Sequence, residues 1–213
     1  CALVGGPARE HSKHPDRVMV SGTLILVGAG GHCRSCIDVI ELEGRWTIVG
    51  IVGRNEERGS LVLGHTVTHV DEDLPALVKE GHSFLLTIGQ IGAPGRRMEI
   101  YERLERLGAS FATVISPRSY VSVHATIGAG SIVMHHAMVN AAARIGANCM
   151  INSKSLVEHD AVIGDHCHVA TTAVVNGGVV LGEGSFIGSG AVLKEYITLP
   201  SGSFVKANAI HKG

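Results

Sequence analysis

From Val121 to Ile210 the chain is written in sixes. VSVHAT, IGAGSI and VMHHAM open a run of fifteen hexads that ends with LPSGSF and VKANAI, and every one begins with Val, Ile or Leu. The fifth position is Ala, Ser or Cys throughout, apart from Val179 and Ile197, and Gly commonly follows the aliphatic residue. A period of six fits neither an amphipathic helix nor an alternating strand. It is the signature of a parallel β-helix, a solenoid in which each coil takes three hexads, one per flat face. The aliphatic side chain points into a narrow prism, and the fifth residue points inward near a corner and must be small. Gly, Asn and Asp at the remaining positions suit the turns between faces. Fifteen hexads give five coils and one continuous core, each buried aliphatic contributing roughly 1.5–3 kcal/mol.

Residues 23–115 follow another rhythm. TLILVG reads as a buried strand that ends in Gly28-Ala29-Gly30-Gly31-His32, and CRSCIDVIELEG reads as a helix. WTIVGIVG and SFLLTIGQ are two further strands, with the helical DEDLPALVKEG between them. PGRRMEIYERLERLG is an amphipathic helix, and SFATVI a last strand. Strands alternating with helices at this spacing predict a Rossmann-like α/β domain with a parallel sheet. Ser116-Pro117-Arg118 is the expected hinge, so the solenoid domain is taken as residues 116–213. Residues 1–22 are expected to be a disordered extension. They lack the apolar stretch of a signal peptide, and a cytoplasmic location is expected.

The glycine turn after the first strand is where a phosphate would sit, because free backbone N–H groups and a helix N-terminus attract anions. The dinucleotide fingerprint is incomplete, since Cys33 stands where its third glycine belongs and Gly53-Arg54-Asn55 replace the acid after the second strand. A nicotinamide cofactor is therefore not expected, and a nucleotide sugar with a single diphosphate fits better. A tight turn that binds nothing is the alternative. A net charge of −1 offers no basic footprint for nucleic acid, and no apolar run reaches the length of a membrane span. Five cysteines, an odd number, argue against a disulfide framework. Cys33 and Cys36 read as packed thiols, and Cys149 and Cys167 as small core residues. No histidine or cysteine cluster has metal-ligand spacing. His135 and His136 are expected on the surface.

The strings VGAGGH (27–32), IGQ (88–90), SPRSYVS (116–122) and INSKSLVEHDAVIGDHCHVATTAVVNGGVVLGEGSFIGSGAVL (151–193) together resemble the bacterial sugar acetyltransferases of the PglD/NeuD type. The resemblance runs from Leu24 to the end of the chain. It implies a left-handed β-helix, a homotrimer with active sites between subunits, and acetyl transfer from acetyl-CoA to the amino group of a nucleotide-linked, UDP-type amino-deoxy sugar. By matching residues, His159 is the general base and Asp160 the carboxylate that orients it. His32 and His168 are site histidines, Gly177 is the backbone donor to the thioester carbonyl, and Ser189 falls with His168 and Gly177 on the coenzyme side. Gly28, Gly30, Gly31, Arg54 and Gln90 are placed on the nucleotide-sugar side. Arg54-Asn55 stand where many relatives carry acidic residues, and Gln90 where Asn is frequent.

The chemistry follows from the residues as well. An amine attacking a thioester must lose a proton as the C–N bond forms, and histidine is suited to take it. A backbone N–H left open by glycine can meet the oxyanion. His159 and His168 are nine residues apart, half a coil, and are expected on different faces, so a shared pocket would be completed across subunits. The same base would serve a hydroxyl, so O-acetylation of a sialic-acid-like sugar is a second reading. A non-catalytic solenoid that binds or scaffolds is a third. A nucleotidyltransferase would need a larger α/β domain.

Overall fold

The computed structural model describes residues 22–92 and 94–213. The expected N-terminal extension, residues 1–22, lies outside the described residues except for Gly22. Strand β1 (Gly22–Val27) runs into the glycine turn, and α1 (Gly31–Glu43) follows and ends on the left-handed Gly44. Next come β2 (Trp46–Val52), β3 (Leu61–Val62), β4 (His65–His69), α2 (Leu74–Lys79), β5 (Ser83–Leu86), α3 (Gly95–Arg106) and β6 (Ser110–Phe111). The sheet order is β3-β4-β2-β1-β5-β6.

Pairing is parallel except between β3 and β4, so the sheet is mixed, where the sequence pattern predicts a parallel one. The difference is a hairpin at the edge. Leu63 and Gly64 both have positive φ, 47° and 85°, the arrangement that lets a two-residue loop match the twist of its strands. The expected helix over DEDLPALVKEG is also shorter. A 3-10 turn covers Asp71–Asp73, and only Leu74–Lys79 is α-helical.

The second domain is the β-helix that the hexads predict. Its two-residue rungs stack into three parallel sheets of six, six and five strands. Partners are eighteen residues apart: Ile151 pairs with Val169, Val157 with Val175 and Ile163 with Leu181. The hexad-opening aliphatics and the small fifth residues, Cys149 and Cys167 among them, form one buried cluster along the prism.

The solenoid begins one rung before the hexad run, at Val114–Ile115, so SFATVI is divided between the two domains. The fourth residue of every hexad from Gly130 to Asn208 is left-handed. Five of these are Gly and five are Asn, Asp or His, which tolerate the conformation, but Ala142, Lys154, Thr172 and Tyr196 are there too, so the corner is imposed on residues that do not favour it. The second-position glycines have another cause. A Cβ at Gly128, Gly146, Gly164 or Gly182 would enter the next coil's backbone or side chains.

The α/β domain lies on the sheet whose outward residues are Val114, Ile132, Met150, His168, Phe186 and Phe204. Val114, Ile132 and Met150 share a core cluster with Leu24, Leu26, Cys33 and Ile37. Polar groups fasten the junction. The buried Glu43 accepts a hydrogen bond from the Ile115 N–H at 3.1 Å, and burial raises its carboxyl pKa. His135, expected on the surface, joins Asp38 of α1 (2.8 Å) to Ser116 (2.6 Å). Arg97 is 1% exposed. Its guanidinium donates to the carbonyls of Leu86 (2.6 Å), Ile88 (3.1 Å) and Asn148 (3.4 Å), tying the β5 loop to a solenoid corner. Burial lowers its pKa to about 10. Among the described residues no helix is long and apolar enough to cross a membrane.

Candidate active site

Two places hold the residues singled out above. The first is a cleft of about 340 Å³ at the carboxyl ends of β1, β2 and β5, where open α/β sheets bind ligands. It is lined by the glycine turn 28–31, His32, Gly53, Arg54, Glu57, Asp71, Thr87–Gly89 and Arg96. Its glycines differ in kind. Gly28 has φ 116°, and a Cβ there would stand 2.8 Å from the Ile88 backbone N; it is required by the fold. Thr87 braces it, donating to the Gly28 carbonyl at 2.6 Å. A Cβ at Gly30 or Gly31 would meet no protein atom within 4 Å.

The protein itself does not demand glycine at those two positions. What they leave open is the approach to the first turn of α1, whose N-cap, Gly30, makes no side-chain cap. An anion can take up those N–H groups. Arg54 reaches the cleft while paired with Glu56 (3.2 Å) and Glu57 (3.0 Å), and Arg96 with Asp71 (2.6 Å).

His32 borders this cleft but turns its ring inward. Its Nε2 is buried without a hydrogen-bond partner, although the residue as a whole is half-buried. Burial, with Arg97 and His168 nearby, lowers its pKa to about 3. Gln90 and His168 do not line the cleft. His168 Nδ1–H donates to the Gln90 carbonyl at 2.7 Å, and its Nε2 faces the Asn152 amide at 3.2 Å. Two hydrogen bonds and burial define a neutral imidazole, its pKa lowered to about 4. The Gln90 side chain is buried, with Oε1 unpartnered. These residues sit at the domain junction.

The second place is the corner between the other two faces of the prism. His159 and Asp160 are exposed there, and Asp160 Oδ2 accepts from His159 Nδ1–H at 2.8 Å. The left-handed turn at Asp160, φ 60°, belongs to the repeating corner. With Nδ1 bound to the carboxylate, Nε2 is the nitrogen left to take a proton. One coil on, Gly177 lies beneath that atom, and a Cβ on it would stand 2.7 Å from Nε2. The Gly177 N–H donates to no acceptor among the described residues, so the residue packed against a candidate base carries an open donor. Glu158 braces the turn from below, accepting from Asn140 (2.8 Å) and from the His159 N–H (3.3 Å). Ser189 is exposed on a different corner, away from Gly177 within one chain. No group of three or more His, Cys, Asp or Glu among the described residues could hold a metal ion.

Known proteins place this arrangement. The PglD N-terminal domain model matches residues 23–104, and the bacterial transferase hexapeptide model matches 142–177 and 160–195. The acetyltransferase domain of PglB from Neisseria gonorrhoeae, solved with acetyl coenzyme A, is 30% identical with a TM-score of 0.80. The alignment covers 88% of this chain and 89% of that one. The chain belongs to the PglD-type hexapeptide-repeat sugar acyltransferases. A second member, perosamine N-acetyltransferase from Caulobacter crescentus, solved with CoA and GDP-perosamine, is 29% identical with a TM-score of 0.81 and 90% of each chain covered. WeeI from Acinetobacter baumannii, at 19% identity and a TM-score of 0.68 over 87% of this chain and 94% of that one, shares the fold. No curated protein sequence matches the chain.

Sequence reasoning missed Arg97, Thr87, Asn152 and Glu158. Asn152 alone carried a sequence signal, since it stands next to the rung preceding that of His168 in the eighteen-residue register.

The junction histidine gives a pH test. His168 stays neutral in the fold down to about 4, against an ordinary value of 6.5. Between these pH values the unfolded chain binds the extra proton, so its contribution to stability is complete above about 6.5 and is lost as pH falls through about 4. Thermal melts from pH 7.5 to 4 are expected to show this loss. His168→Gln, neutral throughout, should flatten the slope by one group's share while His32 keeps part of it. Parallel wild-type and variant curves would contradict this assignment.

Proposed function

We propose that the protein transfers the acetyl group of acetyl-CoA to the amino group of a nucleotide-linked amino-deoxy sugar, with His159 as general base. The observation that carries this reading is His159 Nε2 packed against Gly177, which carries an open N–H, with the other ring nitrogen held by Asp160. The amine nitrogen attacks the thioester carbonyl carbon and gives its proton to His159 Nε2. The carbonyl oxygen, now an oxyanion, takes the Gly177 N–H. Asp160 fixes the tautomer and faces the imidazolium that forms. When the C–S bond breaks, the thiolate recovers the proton from His159, and no covalent enzyme intermediate is needed.

The diphosphate belongs in the α/β cleft, over Gly30, Gly31 and the start of α1, with Arg54 at its rim. A uridine diphosphate amino sugar is the first acceptor to assay, and GDP-perosamine, which the Caulobacter enzyme binds, is the second. Both substrates of such a reaction are cytoplasmic metabolites, which supports a cytoplasmic location.

Assembly enters because the site is divided. The cleft belongs to the domain lying on the His168 face, whereas His159 stands on the corner between the other two. One column of residues on the face beside that corner is apolar throughout: Tyr120, Met138, Leu156, Val174, Val192 and Ile210, with Tyr120 and Ile210 55% and 71% exposed. An apolar stripe of this kind in a soluble fold calls for a cover. Two further copies of the chain, in a closed ring, would cover it and bring a neighbour's cleft to His159. Sedimentation should give a trimer, and Val174→Asp, on that stripe, should yield monomers without activity. Fully active monomers would refute the assembly.

Two substitutions test the chemistry. Gly30→Val, sterically free within the protein, should raise KM for the nucleotide sugar and leave that for acetyl-CoA nearly unchanged. The reverse pattern would mean that the ligands are assigned to the wrong domains. His159→Ala should lower kcat about 10²–10⁴-fold while acetyl-CoA affinity is kept, and Asp160→Asn should do less. Wild-type kcat in His159→Ala, measured with the true acceptor, would remove this base from the mechanism.

A further inference from the structure

Two rings converge on the same pair of glycines. His159 comes from the coil before and lies on Gly177. Tyr196, from the coil after, lies on Gly178, where an added Cβ would be driven into its ring carbons. The Tyr196 N–H donates to the Gly177 carbonyl at 2.9 Å, which fixes the base of the ring beside the candidate oxyanion donor. Gly177-Gly178 is therefore a notch with an imidazole on one side and a phenol ring on the other. The two flanking backbones are two coil spacings apart, about 10 Å.

Core packing does not explain Tyr196. It is 74% exposed, and its hydroxyl takes part in no hydrogen bond among the described residues. It sits in the left-handed corner position with φ 59°, costly for a bulky side chain. Elsewhere in that position stand Gly, Ala, Asn, Asp, Thr, Lys and His, and Tyr196 is the one phenol. A large apolar ring held at some conformational cost beside an open N–H, and left bare in the chain alone, is placed to touch something that comes to that N–H.

We propose that Tyr196 is the gauge for the acyl group, the residue that restricts the donor to a short acyl chain. The inference rests on reading Gly177 as the thioester site. Four directions around the carbonyl carbon must be filled there. Its oxygen points to the Gly177 N–H. The attacking nitrogen comes from the His159 side, because Nε2 takes its proton. The sulfur leads outward, since the rest of coenzyme A must reach solvent. The acyl substituent takes the remaining direction, toward the ring of Tyr196. A methyl group between the two rings makes van der Waals contact at about 3.5–4 Å, whereas each further methylene must displace the phenol or pull the carbonyl off Gly177. One methylene in a fitted apolar pocket is worth a discrimination of about 10–200-fold.

The test compares kcat/KM for acetyl-CoA and propionyl-CoA, using whichever amino-sugar nucleotide the wild type acetylates. Tyr196→Gly removes the ring and suits the left-handed backbone, and Tyr196→Asn is a second αL-tolerant truncation should the first fold poorly. The propionyl-to-acetyl ratio is expected to rise at least about tenfold in either truncation. It should stay within about twofold of wild type in Tyr196→Phe, and the pH profile of kcat/KM should be the same in all variants. An unchanged ratio in folded truncations, with both donors weakened alike, would overturn the gauge and leave Tyr196 as a wall for the coenzyme arm. Wild-type protein that acetylates no amino-sugar nucleotide would overturn the underlying reading instead, and the gauge with it.

Discussion

The coil repeat of eighteen residues is the constraint on which the rest depends. Parallel strands stacked at about 4.8 Å place each residue over the one eighteen later, so chemistry at a corner is set by pairs of positions rather than by neighbours in the chain. His159 meets Gly177 for this reason alone. The same register lines up His168, Phe186 and Phe204, the first two edge to face at 5.2 Å and the last two stacked at 5.4 Å, and it forces the glycine column 128–146–164–182. The repeat also imposes a left-handed residue at every corner from Gly130 to Asn208. That conformation is uncomfortable for Lys154 or Thr172, but it holds the Asp160 turn against His159 with no contribution from residues outside the solenoid.

A second dependence runs through the domain junction. Burying a guanidinium with only carbonyl partners is costly; the two terminal nitrogens of Arg97 reach three carbonyls, while its Nε is buried without a partner. His168 and Gln90 act in the same way on the next stretch of the loop, and Glu43 satisfies the N–H of the first rung. The α/β domain is thus seated on one face of the prism by buried polar contacts beside the shared apolar cluster. That seating puts the cleft on the face opposite the corner that carries His159.

The solenoid was legible because its determinant is local: an aliphatic residue every six positions states the repeat without reference to anything distant. Strands β1, β2 and β5 were legible as apolar runs bounded by glycine. The 61–69 hairpin was not, since two-residue β3 carries no periodicity and its turn is Leu-Gly rather than Asn-Gly. The rung at Val114–Ile115 was hidden by the Ser-Pro that follows it. At the site, the His159–Asp160 pair could be read because its partners are adjacent in sequence. The burial of His32, His168 and Gln90 could not, since it arises from packing between domains. Nor does sequence distinguish Gly28, which the fold requires, from Gly30 and Gly31, where the fold leaves room for a side chain; a φ value and a neighbour's distance are needed for that.

The histidines show how one residue type is given different work. Desolvation holds His32 and His168 neutral well below their ordinary range, and His166, packed against Tyr101 and Asn148, is lowered by the same cause. An imidazolium at His32 or His168 would lack water and a close counter-charge, and His166 has Glu183 only at 4.0 Å. His159 has both. It is 54% exposed, and a carboxylate touches its far nitrogen, so a proton arriving at Nε2 creates a cation that is solvated on one side and countered on the other. A general base must be able to carry its charge as well as to accept a proton. Of His32, His166, His168 and His159, the last is the one that is both exposed and in direct contact with a carboxylate.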